Sequence, residues 1–152
     1  MTAPDLLITF LASILIWCLY LALLILWVFK RKVKKEVVLH ALMASFVAWG
    51  IAEMIKSLLP SMRPFNINNG PVFTLTVPGD NAFPSGHTAA VFGLAMAVWL
   101  HDKKIGYSFL IGAMLVGIGR ILANVHFPLD ITGGSLIGIL TAFILKKIHF
   151  TA

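Results

Sequence analysis

The chain has 152 residues, of which 59% are hydrophobic and only 12% charged, with a formal net charge of +6 and a mean hydropathy of +0.94. Such values lie far outside those of a soluble domain and imply an integral membrane protein. A charge of +6 could suggest nucleic acid, but the basic residues cluster beside apolar segments, where they read as orientation signals and anionic-lipid contacts instead.

Residues 6 to 29 form the first uncharged stretch long enough to cross a bilayer core, which takes roughly 20 helical residues. The stretch lacks a preceding basic flank and a small-residue cleavage site, so it reads as a retained span rather than a signal peptide. Cys18, the sole cysteine, lies inside it, which leaves no intramolecular disulfide or thiolate metal site and makes packing its expected role. The cluster Lys30, Arg31, Lys32, Lys34 and Lys35 follows, then a second span at 37–59, a loop at 60–84, a third span at 85–101 and Lys103–Lys104. A fourth span at 105–124 and a fifth at 130–149, ending in Lys146–Lys147, complete the chain. Because lipid offers no partner for backbone polar groups, the spans are helices. The expected fold is all-α: a polytopic transmembrane bundle of about five spans forming one domain over 1–152.

All three basic clusters fall on one side if the N-terminus is outside and the C-terminus inside, as the positive-inside rule requires. The 60–84 loop and the 124–130 connection then share the outer face. The loop carries turn signals at Asn68–Asn69–Gly70 and Pro78–Gly79–Asp80 around an alternating stretch from Val72 to Val77. A short hairpin or lid and a disordered connector are equally compatible with that pattern.

Lys56, Arg63 and Arg120 are the three cations outside the clusters, and all fall on the outer side. Arg grips two phosphate oxygens through its planar fork, and Lys acts as a point charge. For Lys56 alone, a local pair with Glu53 three residues back is the plainer reading. Pro84–Ser85–Gly86–His87 opens the third span: Ser85 is a natural N-cap, Gly86 admits close backbone approach, and a helix start is an anion site. A simple capped start would explain Ser85 but gives His87 no task. His126 and Asp130 are four apart, on one helical face or close across a turn at Pro128. Asp130 accepting an N–H of His126 would fix the tautomer and leave the other nitrogen able to attack, although an aspartate cap beside an interfacial histidine fits the pair as well. His40, His101 and His149 fall at the opposite helix ends and read as interfacial. Gly134-x3-Gly138 signals close helix contact, within the chain or in a homo-oligomer.

Together Lys56-x6-Arg63–Pro64, Pro84–Ser85–Gly86–His87 and Arg120-x5-His126-x3-Asp130 resemble the three-part signature of the type 2 phosphatidic acid phosphatase superfamily, over the stretch from Lys56 to Asp130. The resemblance implies a metal-independent phosphatase, with His126 as nucleophile, Asp130 as its orienting partner and His87 as general acid. Lys56, Arg63, Ser85, Gly86 and Arg120 would form the phosphate cradle. Gly119 stands where the family usually has serine, and integral members commonly have six spans. The six carboxylates form no cluster suited to magnesium or to two-metal chemistry, so no metal or cofactor is expected. Phosphatidic acid, phosphatidylglycerol phosphate and undecaprenyl diphosphate are family-type substrates. A non-catalytic lipid-phosphate binder or translocator and a phospho-headgroup transferase are the alternatives.

Overall fold

The computed structural model describes residues 2–29, 33–79 and 81–149, without the side chain of His149. Lys30, Arg31 and Lys32 of the first basic cluster, and Asp80 of the second turn signal, lie outside the described residues.

The chain begins with one continuous rod: α1 (Ala3–Thr9), a π-helical turn (Phe10–Ile14) and α2 (Leu15–Val28). It continues through α3 (Lys35–Leu58), a short α4 (Pro64–Asn68), α5 (Gly86–His101), α6 (Lys103–Leu122) and α7 (Pro128–His149). Helix starts follow local chemistry. Ser85 caps α5 by accepting the Thr88 N–H at 3.4 Å, Asp102 caps α6 through the Ile105 N–H at 3.0 Å, and Pro128 occupies the first turn of α7, where its missing N–H costs nothing. No strand forms among the described residues, so the alternating segment 72–77 is not a hairpin. It runs as irregular chain, with the Phe73 N–H on the Ala123 carbonyl at 3.2 Å and the Leu75 N–H on Ser13 Oγ at 3.3 Å. These two N–H groups thus find tertiary partners in place of a second strand.

Among the described residues four rods, Ala3–Val28, Lys35–Leu58, Lys103–Leu122 and Pro128–Ile148, are long and apolar enough to cross a membrane. At 16 residues α5 is shorter, about 24 Å at the helical rise, and it runs through the middle of the bundle against α3, α6 and α7. Its inner positions are small: Ala89, Gly93, Ala95 and Ala97 are buried. A Cβ on Gly93 would lie 2.7 Å from the Ala44 carbonyl oxygen of α3. One on Gly134 or Gly138 of α7 would run into the Ser85 or Ala89 carbonyl of α5, both at 2.5 Å. Lipid tails are as apolar as leucine, so helices associate in a membrane through such close approach rather than through the hydrophobic effect. Gly134-x3-Gly138 thus packs within the chain. The outer surface is correspondingly apolar, with Trp17, Phe46, Ile111, Leu136 and Phe143 exposed. This is a polytopic transmembrane helix bundle.

The described lysines 34, 35, 103, 104, 146 and 147 gather at one end of the rods, and Lys56, Arg63 and Arg120 at the other. His40 departs from its expected interfacial position. It is fully buried, with Nδ1 2.9 Å from His101 Nε2 and Nε2 2.9 Å from the Ala142 carbonyl. A carbonyl only accepts, so His40 Nε2 carries the proton and the pair ties α3, α5 and α7 together at the lysine-rich end.

Candidate active site

The segments around α4, the start of α5 and the turn between α6 and α7 converge at the end opposite the lysines. Arg63 precedes α4, and its guanidinium is 2% exposed. Nη1 donates to the Val125 carbonyl at 2.8 Å and Nη2 to the Asn81 carbonyl at 3.1 Å. A buried cation without acceptors would cost several kcal/mol, so these two carbonyls fix where Arg63 can sit. Arg120, in the last turn of α6, donates to the Ala12 carbonyl at 3.3 Å, inside the π turn of the first rod. Lys56 lies in the last turn of α3 and pairs with Glu53 at 2.7 Å, the local partner that the sequence offers it.

His126 sits in the connection between α6 and α7, just before Pro128, so the pair with Asp130 closes across a turn. His126 Nδ1 is 3.3 Å from Asp130 Oδ2, and the same carboxylate oxygen accepts the Phe127 N–H at 2.8 Å. The other ring nitrogen, Nε2, is 3.3 Å from Arg63 Nη1. A guanidinium cannot accept, so Nε2 presents its lone pair and Nδ1 carries the proton toward Asp130. Both contacts demand the same tautomer. Burial above all pulls the His126 imidazole from its ordinary 6.5 to about 4, with Arg120 and Arg63 pushing the same way and Asp130 opposing them. His126 is therefore neutral at physiological pH.

Ser85 links the second and third motifs directly, its backbone N–H donating to the Asp130 carbonyl at 3.0 Å. Its hydroxyl is fully buried and takes the Thr88 hydroxyl at 3.0 Å. Gly86 follows against α3, where a Cβ would collide with Glu53 Oε1 and crowd Trp49. His87, half-buried in the first turn of α5, lies within electrostatic range of Arg120, His126, Lys56 and Arg63. The structure thus gathers all eight residues of the expected site. It adds Asn81, whose side chain donates to the Lys56 carbonyl at 2.9 Å, and the backbone carbonyls of Ala12 and Val125. Carbonyl partners leave no trace in sequence, because every residue has one.

Gly119 explains itself by position. A Cβ there would lie 2.7 Å from Leu11 and 2.8 Å from the Ala12 nitrogen, so glycine lets the first rod approach close enough for its π turn to hold Arg120.

Two cavities flank the site. A polar one of about 580 Å³ is lined by Glu53, Lys56, Ser57, Ser61, Asn66 and Asn81, among others. An apolar one of about 390 Å³ lies between the first rod, α3 and α5, lined by Ile16, Trp17, Tyr20, Phe46, Trp49 and His87, among others. Among the described residues no group of three or more His, Cys, Asp or Glu could hold a metal ion.

The sequence matches the PAP2 superfamily over residues 37–152, and the chain belongs to that family. It is 34% identical over 137 residues to the bacitracin transport permease protein BcrC of Bacillus licheniformis, covering 88% of this chain and 66% of that one. With the undecaprenyl-diphosphatase BcrC of Bacillus subtilis it shares 29% identity over 145 residues, 94% of this chain and 74% of that protein. The chain thus spans about two thirds of the length of the first relative. The crystal structure of Aquifex aeolicus LpxE superimposes with a TM-score of 0.79 at 30% identity, over 97% of this chain and 87% of that one.

Proposed function

We propose that this protein is a membrane lipid phosphatase that works through a phosphohistidine, with undecaprenyl diphosphate as the favoured substrate. The observation that carries the reading is the single tautomer of His126: Nδ1–H on Asp130 and the Nε2 lone pair on the side of Arg63, 3.3 Å from each. An oriented, neutral imidazole is what an attack requires and what mere binding does not.

In the first step Nε2 of His126 attacks the terminal phosphorus, and the bond from phosphorus to the bridging oxygen breaks. Lys56, Arg63, Arg120 and the N–H groups at the start of α5 stabilise the equatorial oxygens, where charge accumulates. His87, which takes up a proton once the phosphate anion offsets the surrounding cations, gives that proton to the departing oxygen of the lipid phosphate. In the second step water, deprotonated by His87, attacks the phosphohistidine, freeing inorganic phosphate and restoring both histidines. The steps are written without a metal ion or cofactor.

The apolar cavity that His87 helps to line supports a lipid substrate. A prenyl or acyl chain lying between the first rod and α3 would bring the leaving oxygen to the proposed acid while its remainder stays in the bilayer. The Bacillus subtilis relative, an undecaprenyl-diphosphatase, favours an undecaprenyl diphosphate over phosphatidic acid or phosphatidylglycerol phosphate. We take the five long helices as spans of one domain, with the site on the outer face. A second reading, a lipid-phosphate binder or translocator, draws on the Bacillus licheniformis relative, a bacitracin transport permease protein. A transferase would share the intermediate and require a lipid alcohol as acceptor.

The test is phosphate release by purified protein in detergent and EDTA, offered each of the three lipids, with His126→Ala beside it. Release that survives EDTA and falls by at least roughly 10³-fold in the variant is expected. Binding without release supports translocation, and release that depends on an added alcohol supports the transferase.

A further inference from the structure

Resting on that reading of the cradle, we propose that Glu53 is an internal anion that occupies the phosphate seat between turnovers and must be displaced by the incoming substrate. Its carboxylate does two things at once. Oε1 pairs with Lys56 Nζ at 2.7 Å, and the same oxygen lies so close over Gly86 that a Cβ there would collide with it. Gly86 is the first residue of α5, where the unsatisfied N–H groups and the helix dipole favour negative charge. Glu53 thus stands between a cradle cation and the helix start, the two features that would receive a phosphate oxygen.

Electrostatics gives the arrangement a reason. Lys56, Arg63 and Arg120 are buried within electrostatic range of the first turn of α5, and like charges held together there repel. A carboxylate on a flexible three-bond arm relieves that repulsion. Glu53 also lines the polar cavity of about 580 Å³, together with Ser57, Ser61, Asn66 and Asn81. Trp49, one helical turn earlier on α3, touches Gly86 from the side of the apolar cavity. One turn of α3 therefore divides a lipid-facing approach from a polar one, and Glu53 has a polar cavity into which to swing. The carboxylate withdraws toward the polar cavity when phosphate binds and returns as phosphate leaves.

Glu53 is thus a positioning residue that acts through Lys56, and its removal should strengthen phosphate binding, an effect that structural damage does not produce. The experiment is calorimetric titration of inorganic phosphate into the wild type, Glu53→Gln and Glu53→Asp, with no turnover required. Glu53→Gln, which keeps the shape and loses the charge, should bind phosphate roughly tenfold more tightly. Glu53→Asp should stay within a few-fold of the wild type. Unchanged or weaker binding by Glu53→Gln, against a wild type that binds, overturns the proposal and leaves the cradle standing. Failure of all three proteins to bind phosphate would bring down the cradle reading as well.

Discussion

At the scale of single residues, the site depends on one carboxylate serving two donors. Asp130 Oδ2 takes both the Phe127 N–H and the His126 Nδ1–H, so it shapes the turn before α7 and sets the tautomer together. Asp130→Asn keeps the shape, but its amide can turn an N–H toward the ring and favour the wrong tautomer. The expected result is a loss of roughly 10²–10⁴-fold in kcat with little change in KM, read by steady-state phosphate release. A loss confined to KM would assign Asp130 to binding instead. The buried imidazole also makes stability depend on pH. The folded value of His126 lies near 4 and the ordinary one at 6.5, so the unfolded chain binds the extra proton. The stabilisation is complete above 6.5 and is lost as pH falls toward 4, about 3 kcal/mol at most. The thermal midpoint in detergent should therefore fall over that window, and His126→Asn should flatten part of the slope. An identical slope in the variant would show that other groups set it.

Among the helices, the first rod is the least expected contributor. Composition and length make it a span, yet its π turn over Phe10–Ile14 also supplies the carbonyl that holds Arg120. Serine at position 119, the family's usual residue, would place its Cβ against the backbone of Leu11 and Ala12. Backbone cannot give way as a side chain can. Gly119→Ser should therefore push the rod away and loosen Arg120, raising KM by roughly tenfold, the worth of one charge-assisted hydrogen bond. Gly119→Ala should do nearly the same, and a Gly119→Ser enzyme with improved KM would refute this account. The contrast shows what the sequence could disclose. Apolar runs, Ser85 and the three motifs are local signals, and they point to the long helices and to the eight candidate residues. The irregular course of 72–77 and the contact of buried His40 with exposed His101 are set by partners far away in sequence. Segment 72–77 illustrates the reason: its alternation suits a strand, but the Ala123 carbonyl and the Ser13 hydroxyl claimed its N–H groups. Such partners become visible only once the helices are packed.

For the whole molecule, charge and chemistry lie at opposite ends of one bundle. Six described lysines mark one end, while the histidine pair of the site and its three cations mark the other. The positive-inside rule counts basic residues in short loops near span ends, and by that count the lysine end outnumbers the other, which holds Lys56, Arg63 and Arg120. The lysine end should therefore face the cytoplasm and the site the outer surface, where a lipid headgroup can be reached without crossing the membrane. Cysteine accessibility tests this in intact cells. With Cys18→Ala as background, Thr76→Cys in the exposed loop beside the site and Lys104→Cys at the far end offer one thiol each. A membrane-impermeant maleimide should label the Thr76 variant in intact cells and the Lys104 variant only after lysis. The reverse pattern would put the site on the cytoplasmic face, and the substrate would then have to be a lipid phosphate of the inner leaflet.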